Sequence, residues 1–124
     1  MVFGTSDGLH RGHLNFLKQS KKYGDYLIAV VARDENVKRI KGKSPYYNEK
    51  ERLKELKKNK IIDKAVIGHT FDKCKIILEN QSDVICLGYD QDISKTTLSK
   101  QLKRMGTRVK IYRMKPYKLK IYKL

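Results

Sequence analysis

Two histidines three positions apart lie in a glycine-containing turn near the start of the chain. His10 and His13 follow a short apolar stretch, residues 1–3, and a turn that contains Gly4 and Gly8. After His13, apolar residues recur at helical spacing, so the segment is typical of a strand, a turn and a helix start. Such a junction can hold a phosphate, because free backbone N–H groups and the positive end of the helix dipole point into the same space. Imidazole donors there can follow negative charge as it develops on a phosphoryl group.

The elements that must position this turn alternate along the chain. We predict strands over residues 1–3, 26–32, 61–68, 84–88 and 108–112. We predict a first helix from about Leu14 to Lys22, with Gly24 as its C-cap. Two further helices begin after N-caps at Asp34 and Asn48, and the last two cover residues 71–78 and 94–105. The apolar run at 26–32 is typical of a strand that is buried on both faces of a parallel sheet. The alternation predicts a Rossmann-like α/β fold, an open parallel five-stranded sheet with helices on both faces.

We expect one domain over residues 1–124, with a basic C-terminal segment from about residue 113. In open α/β sheets, ligands bind beyond the carboxyl ends of the strands, near the switch point of strand order. Polar candidates follow several predicted strands, namely residues 4–13, Arg33, Asp34, residues 88–91 and residues 113–117. Taken singly, each has an ordinary alternative. The His pair could bind a metal with other ligands, Lys41 could be a solvated charge, Arg52 a surface ion pair, Asp90 a turn cap and Tyr117 simple packing.

The charge of the chain favours anionic partners. Its 29 Lys and Arg residues outnumber 13 Asp and Glu residues, which gives a formal net charge of +16. Nucleotides, nucleic acid and acidic membrane surfaces all fit that excess. Cys74 and Cys86 show no C-x-x-C spacing, and we interpret them as two reduced thiols in the core of a cytoplasmic protein. No apolar run approaches the ~20 residues that span a bilayer.

The stretch Gly4 to His13, GTSDGLHRGH, resembles the G-T-F-D-x-x-H-x-G-H signature of the cytidylyltransferase-like nucleotidyltransferases. The order of a basic loop at Lys41, an arginine helix at Arg52 and a following strand is also similar to that family. Residues 87–91, LGYDQ, are similar to the L-G-x-D-Q of its archaeal-type FAD synthase branch, whereas glycerol-3-phosphate cytidylyltransferases tend to show G-D-D-W. The run at 31–38 resembles the same branch.

The resemblance implies a nucleotidyltransferase fold of the HUP type and transfer of AMP from ATP to FMN, which gives FAD and pyrophosphate. It implies Mg²⁺ or another divalent cation with ATP, and no metal ligands are predicted in the chain. The catalytic residues that it implies are His10, His13 and Lys41. The nucleotide contacts that it implies are Thr5, Ser6, His10, Arg11, Gly12, His13, Gly88, Asp90 and Tyr117. The phosphate contacts that it implies are Lys41, Arg52 and Arg113.

The chain departs from the family pattern at two places, and two functions other than FMN adenylyl transfer are also considered. Ser6 replaces the usual Phe, and nothing after Tyr117 matches the family's I-S-S/T-T-K/R-like segment. One alternative is a cytidylyltransferase that uses CTP and a small phosphorylated alcohol or sugar, of the glycerol-3-phosphate or lipopolysaccharide-core type. The other is a basic nucleic-acid-binding protein, which we disfavour because it leaves the turn at His10 and His13 unexplained. Since the superfamily commonly forms dimers, a homodimer is also open.

Overall fold

The computed structural model describes residues 1–69 and 72–117, which form five strands and five helices in the order β1-α1-β2-α2-α3-β3-α4-β4-α5-β5. The strands are β1 (Val2–Gly4), β2 (Ile28–Val31), β3 (Lys64–Ile67), β4 (Val84–Leu87) and β5 (Lys110–Arg113). The helices are α1 (Arg11–Lys21), α2 (Asp34–Lys41), α3 (Glu49–Lys57), α4 (Lys73–Glu79) and α5 (Lys95–Arg104). Within these described ranges, no helix is long and apolar enough to cross a membrane.

The strands form one parallel sheet in the order β3-β2-β1-β4-β5. The register sets Gly4 of β1 beside Val31 of β2, and Val2 beside Cys86 of β4. The first strand is therefore central, and the order switches direction between β1 and β4. Because ligands of open α/β sheets bind at the switch point, the turn that leaves β1 lies where a ligand site is expected. The predicted fold class and sheet are confirmed.

Helices cover both faces of the sheet, as the apolar strand runs predict. Neighbouring residues of one strand enter different cores, because successive side chains of a strand point to opposite faces. Phe3 packs in the cluster that contains Ile77 of α4 and Leu102 of α5, whereas Val2 packs in the cluster that contains Leu17 of α1 and Leu56 of α3. Helices α1 and α3 thus cover one face, and α4 and α5 cover the other.

Several helix ends differ from the prediction by one to three residues. Helix α1 closes on a C-cap at Lys22, so Gly24 is not its cap. Asp34 is the first helical residue of α2, and Arg33 occupies the N-cap without a side-chain cap bond. Asn48 caps α3 as predicted, because its side chain accepts a hydrogen bond from the backbone of Glu51. The predicted start of α4 at residue 71 lies outside the described residues.

Both cysteines are buried and free, at 4% and 2% exposure for Cys74 and Cys86. Burial raises the pKa of each thiol, and a hydrogen bond from Ser20 opposes part of that rise at Cys86. Both residues belong to the core clusters. The interpretation as reduced core thiols is confirmed.

Candidate active site

His10 and His13 cap helix α1 with their own imidazole rings. The backbone N–H of Gly12 donates to Nδ1 of His10 at 3.0 Å, and the backbone N–H of His10 donates to Nδ1 of His13 at 3.3 Å. These two bonds form a reciprocal capping box, in which histidines take the places usually held by Ser or Thr and by Glu or Gln. The rings lie against each other with centroids 3.8 Å apart and planes tilted by 30°.

The cap bonds decide which ring nitrogen carries the proton. A nitrogen that accepts a backbone N–H cannot hold a proton of its own, and a neutral imidazole carries its proton on the other nitrogen. We therefore assign both rings as the neutral Nε2–H tautomer, with the assignment resting on the hydrogen-bond pattern. The turn consequently has two imidazole N–H donors, on rings that lie against each other, at the positive end of α1.

The site holds His13 in its neutral form. Burial of the ring is the largest influence and lowers the pKa of His13 below its ordinary 6.5. Of the neighbours, the charge of His10 lowers this pKa, Asp90 raises it, Lys41 lowers it and a hydrogen bond to the Gly8 backbone raises it. Since protonation at Nδ1 would remove the acceptor for the His10 N–H, the neutral ring and the capping box support each other.

We expect the imidazole of His13 to titrate below pH 6.5 in an NMR titration. His10→Asn should raise the midpoint, because His10 lowers this pKa through its electrostatic interaction with the ring, and Asp90→Asn should lower it. The unfolded chain binds this proton more readily than the folded chain, so the contribution of His13 to stability is complete above the unfolded pKa. That contribution is lost as the pH falls through the folded pKa. A midpoint at or above 6.5 would contradict the assignment.

Gly12 leaves the space that the His10 ring occupies. A Cβ atom at position 12 would lie 2.8 Å from Cε1 and 3.1 Å from Nδ1 of His10. A separation of 2.8 Å is too short for two carbon atoms that are not bonded, so the ring would have to move. The resemblance implied that Gly12 contacts the nucleotide. The structure adds a second reason for glycine here, which is the position of the His10 ring.

Gly12→Ala is expected to lower turnover roughly 10- to 100-fold, because a displacement of about 1 Å is enough to disturb catalytic geometry. The free energy of unfolding should stay within about 1 kcal/mol of wild type, since alanine favours the helix while the displaced ring weakens the cap. Steady-state kinetics and denaturant unfolding measure the two effects. Gly24→Ala is the matched control, because no atom lies within 4 Å of the added Cβ. Equal activity of the two variants would remove the steric role of Gly12.

The turn between β1 and α1 is strained and is tied down on both sides of the strained residue. Ser6 has φ of 55°, in the left-handed region that residues other than glycine seldom adopt. On one side, the carbonyl of Thr5 accepts a hydrogen bond from Arg52 at 2.7 Å. On the other, the Asp7 carboxylate accepts the backbone N–H groups of Tyr46 and Tyr47 at 2.7 and 2.9 Å. Such strain persists where the surroundings determine the conformation, and it is concentrated at functional sites.

Asp7 is a functional candidate that our sequence analysis did not single out. Its slight burial acts to raise the pKa, but the hydrogen bonds from Tyr47 and Tyr46 outweigh it and hold the pKa below 3.8. The charges of Arg52 and Lys41 act in the same direction. The carboxylate therefore stays ionised and joins the histidine turn to the loop before α3. Its place in the quoted signature was the only sequence signal for it.

Arg52 joins three segments from a fully buried position. The guanidinium donates to the carbonyls of Tyr47 and Thr5 at 2.9 and 2.7 Å, and it pairs with Asp34 at 2.7 Å. Its side chain has 0% exposure. We predicted a phosphate contact for Arg52, but all three nitrogens already donate within the protein. The geometry favours a positioning role, in which Arg52 orders the turn and the starts of α2 and α3.

A second network builds the loop that follows β4. The amide of Gln91 crosses the switch point, because it donates to the carbonyl of Phe3 at 2.6 Å and accepts from the N–H of Gly88 at 2.8 Å. The guanidinium of Arg113 donates to the carbonyls of Gly88, Gln91 and Ile93 at 2.6 to 2.9 Å. Arg113, like Arg52, thus donates to acceptors within the protein, and the phosphate contact predicted for it stays a prediction. In the sequence, Gln91 was notable only as the last residue of the LGYDQ motif.

Two charged side chains act on the histidine turn, one from the end of α2 and one from the loop after β4. Lys41, the last residue of α2, lies close enough for its charge to act on both Asp7 and His13, and Asp90 acts on His13 from the loop after β4. Arg11 is exposed in the first turn of α1. The structure thus brings Lys41 and Asp90 to the predicted site. Their contacts with substrate stay predictions.

Tyr117 lies beside α1 in the structure. With Asn15, Gln19 and Lys115 it lines a groove along that helix. The Gln19 amide holds this segment through bonds of 2.9 Å to both the N–H and the carbonyl of Lys115. The nucleotide contact predicted for Tyr117 stays untested. Residues 118–124 of the basic segment lie outside the described residues.

The donor set near the turn fits a cation that arrives with a triphosphate. Among the residues that the structure describes, no group of three His, Cys, Asp or Glu side chains could hold a metal ion. Asp7 is engaged by two backbone N–H groups, and Asp90 is a carboxylate whose charge acts on His13. Mg²⁺ is commonly bound through one or two carboxylates plus substrate phosphates, so a dedicated cage is not required.

Comparison with known proteins identifies relatives over nearly the whole chain. The Cytidylyltransferase-like family model matches residues 1–120. A protein of Thermoplasma volcanium named FAD synthase is 42% identical over 117 residues, which are 94% of this chain and 82% of that protein. Proteins with the same name from Aciduliprofundum boonei and Archaeoglobus profundus are 40% and 41% identical, over 94% and 90% of this chain and 78% and 71% of their own lengths.

A solved structure agrees with the fold. It is a crystal structure described as the lipopolysaccharide core biosynthesis protein from Thermoplasma volcanium, with a TM-score of 0.90 and 42% identity. The match covers 94% of this chain and 95% of the other. Sequence and structure comparisons therefore agree on the fold, while the printed names of these proteins differ.

Proposed function

Because this chain belongs to the cytidylyltransferase-like family, we propose that it is a nucleotidyltransferase that transfers AMP from ATP to FMN. The observation that carries the chemistry is the stacked pair of His10 and His13, with both Nδ1 atoms engaged by backbone donors. In this proposal the Nε2–H groups donate to the phosphoryl group as charge develops on it. The name FAD synthase, shared by relatives that are 40 to 42% identical, favours FMN as the acceptor.

The proposed reaction is a direct displacement at phosphorus. A phosphate oxygen of FMN forms a bond to the α-phosphorus of ATP, and the bond from that phosphorus to the bridging oxygen of the β-phosphate breaks. Pyrophosphate leaves with that oxygen, and FAD results. Such a reaction needs alignment of attacking and leaving oxygens and neutralisation of the triphosphate charge more than it needs a covalent intermediate.

The residues of the chain divide this work. The two imidazoles donate hydrogen bonds to the triphosphate as negative charge moves toward the leaving oxygen, and Lys41 supplies a positive charge from the end of α2. Backbone and side-chain groups of Thr5 and Ser6, with the N-terminus of α1 at Arg11 and Gly12, bind the nucleotide phosphates. The loop at Gly88 and Asp90 binds the nucleoside. A divalent cation, when bound to ATP, would neutralise further phosphate charge, and Asp90 would assist in holding it.

A second candidate is a cytidylyltransferase that acts on a phosphorylated alcohol or sugar. The observation in its favour is the description of the similar crystal structure as a lipopolysaccharide core biosynthesis protein. The same histidine pair would serve it, because the bond changes at the α-phosphorus are identical. The nucleoside and the acceptor are the only differences.

A matrix of substrates separates the two candidates. The protein is incubated with Mg²⁺ and either ATP or CTP, each with FMN, glycerol 3-phosphate or a sugar phosphate, and pyrophosphate release is followed. The proposal predicts release that depends on both ATP and FMN. Release from CTP without any need for FMN would overturn it in favour of the second candidate. We propose the cytoplasm as the site of this reaction, and the homodimer stays a prediction for sedimentation analysis.

A further inference from the structure

Tyr46 presents its ring to solvent from a backbone that is held in place. Its exposure of 88% is the largest among the big hydrophobic side chains in the described part of the chain. The ring meets Tyr47 edge to face, with centroids 5.3 Å apart and an interplanar angle of 66°. A single exposed tyrosine is ordinary on a protein surface. The way in which this one is anchored is unusual.

The anchor is the histidine turn itself. The carboxylate of Asp7 accepts the backbone N–H groups of Tyr46 and Tyr47, one with each oxygen. Arg52 holds the same loop through the carbonyl of Tyr47. The backbone at position 46 is therefore tied to the turn that contains His10. A side chain that makes few protein contacts, on a backbone fixed beside a catalytic turn, is suited to contact a substrate.

The order of the strands determines which loops flank the histidine turn. Strand β1 lies between β2 and β4, so the loop from α2 to α3 and the loop after β4 flank the turn on opposite sides. The proposed function assigns the β4 side to the nucleoside through Gly88 and Asp90. The side of β2, with Lys41 and Tyr46, is left for the acceptor. A cation at the end of α2 and an exposed aromatic ring in the loop that follows it complement a molecule that carries both a phosphate and a flat aromatic ring system.

We propose that the ring of Tyr46, supported at its edge by Tyr47, stacks on the isoalloxazine ring of FMN and so determines the acceptor. This inference rests on the proposed function. Aromatic side chains bind flat heteroaromatic rings through stacking, which tolerates differences in ring substituents. A glycerol or sugar acceptor offers no such surface.

The test uses FMN fluorescence and steady-state kinetics on the full chain. Contact with a tyrosine ring quenches flavin fluorescence, so a titration reports both affinity and stacking. Tyr46→Ala is expected to raise the Kd and KM for FMN on the order of tenfold, with loss of quenching, while the KM for ATP stays unchanged. Tyr46→Phe keeps the aromatic face and should match wild type. Tyr26→Ala is the matched control, since Tyr26 is 58% exposed and precedes β2 at the opposite end of the sheet.

The outcomes are distinguishable from failure of the proposed function. If wild type forms FAD and Tyr46→Ala binds FMN with unchanged Kd and quenching, the inference is wrong and the function stands. A raised KM for ATP alone would move Tyr46 to the nucleoside side and also overturn the inference. If wild type neither binds FMN nor forms FAD, both the function and the inference fall. Because the ring is exposed, all three variants are expected to fold.

Discussion

Replacing His10 by Asn and His13 by Gln, singly, is expected to lower kcat on the order of 10²-fold or more while the protein stays folded. Asn is a favourable N-cap, and Gln is a usual residue at the third helical position of a capping box. These substitutions keep an acceptor for each backbone N–H that the rings now accept. They remove only the imidazoles and their Nε2–H donors. Steady-state kinetics with ATP and FMN measure the loss.

The comparison with alanine separates capping from catalysis. His10→Ala should lower kcat as His10→Asn does, and should additionally lower the free energy of unfolding by about 1 kcal/mol through loss of the cap. His69→Gln serves as the control for removal of a histidine outside the turn, because His69 contacts Glu79. If His10→Asn and His13→Gln retain wild-type turnover, the two rings serve as caps and take no part in catalysis.

Arg52→Met is expected to lower the free energy of unfolding by about 3 kcal/mol or more. The substitution fills much of the volume but leaves the carbonyls of Thr5 and Tyr47 without the donor they now have. The side chain of Asp34 is 39% exposed and can be hydrated when its partner is removed. The expected loss of free energy of unfolding is therefore near the lower end of the range for a broken buried ion pair. Arg52→Lys should recover little, because an ammonium cannot replace a planar group that donates in three directions. Denaturant unfolding measures the change.

Lys54→Met on the same helix is the matched control. Lys54 is exposed, so its replacement should change the free energy of unfolding by no more than about 0.5 kcal/mol. A stable Arg52→Met protein with a strongly raised KM for ATP would contradict the positioning role. It would restore the direct phosphate contact that the resemblance implies.

The fold followed from the sequence because its signals are local. Apolar runs such as 26–32 mark strands that are buried on both faces, and the residues between them carry helical spacing and caps such as Asn48. The ends of helices were less certain, because capping depends on local geometry. Gly24 looked like a C-cap by type, yet α1 ends before it.

The positioning role of Arg52 could not be predicted from local sequence signals. The sequence of α3, EKERLKELK, surrounds Arg52 with charges, so it resembles its exposed neighbours. One signal was present, since Arg52 lies four residues before the buried Leu56 and hence on the same face of the helix. Its partners at Thr5, Asp34 and Tyr47 come from distant segments. Only the tertiary structure brings those acceptors together.

For the turn that contains His10 and His13, the sequence predicted the chemistry but not the geometry. The spacing of His10 and His13 indicated donors near a phosphate. The reciprocal cap, the close packing of the rings and the space left by Gly12 depend on backbone angles that the residue types do not specify. Those features explain why the two donors are held in a fixed tautomer.

The central claim is tested most directly by following the α-phosphorus of ATP into product. Purified protein is incubated with Mg²⁺, FMN and ATP labelled at the α-phosphorus, and the flavins are separated and identified by mass. The account predicts labelled FAD, with one pyrophosphate released for each FAD formed, and a loss on the order of 10²-fold or more in His10→Asn and His13→Gln. Absence of labelled FAD from folded wild type, with transfer of label from CTP to glycerol 3-phosphate, would contradict it.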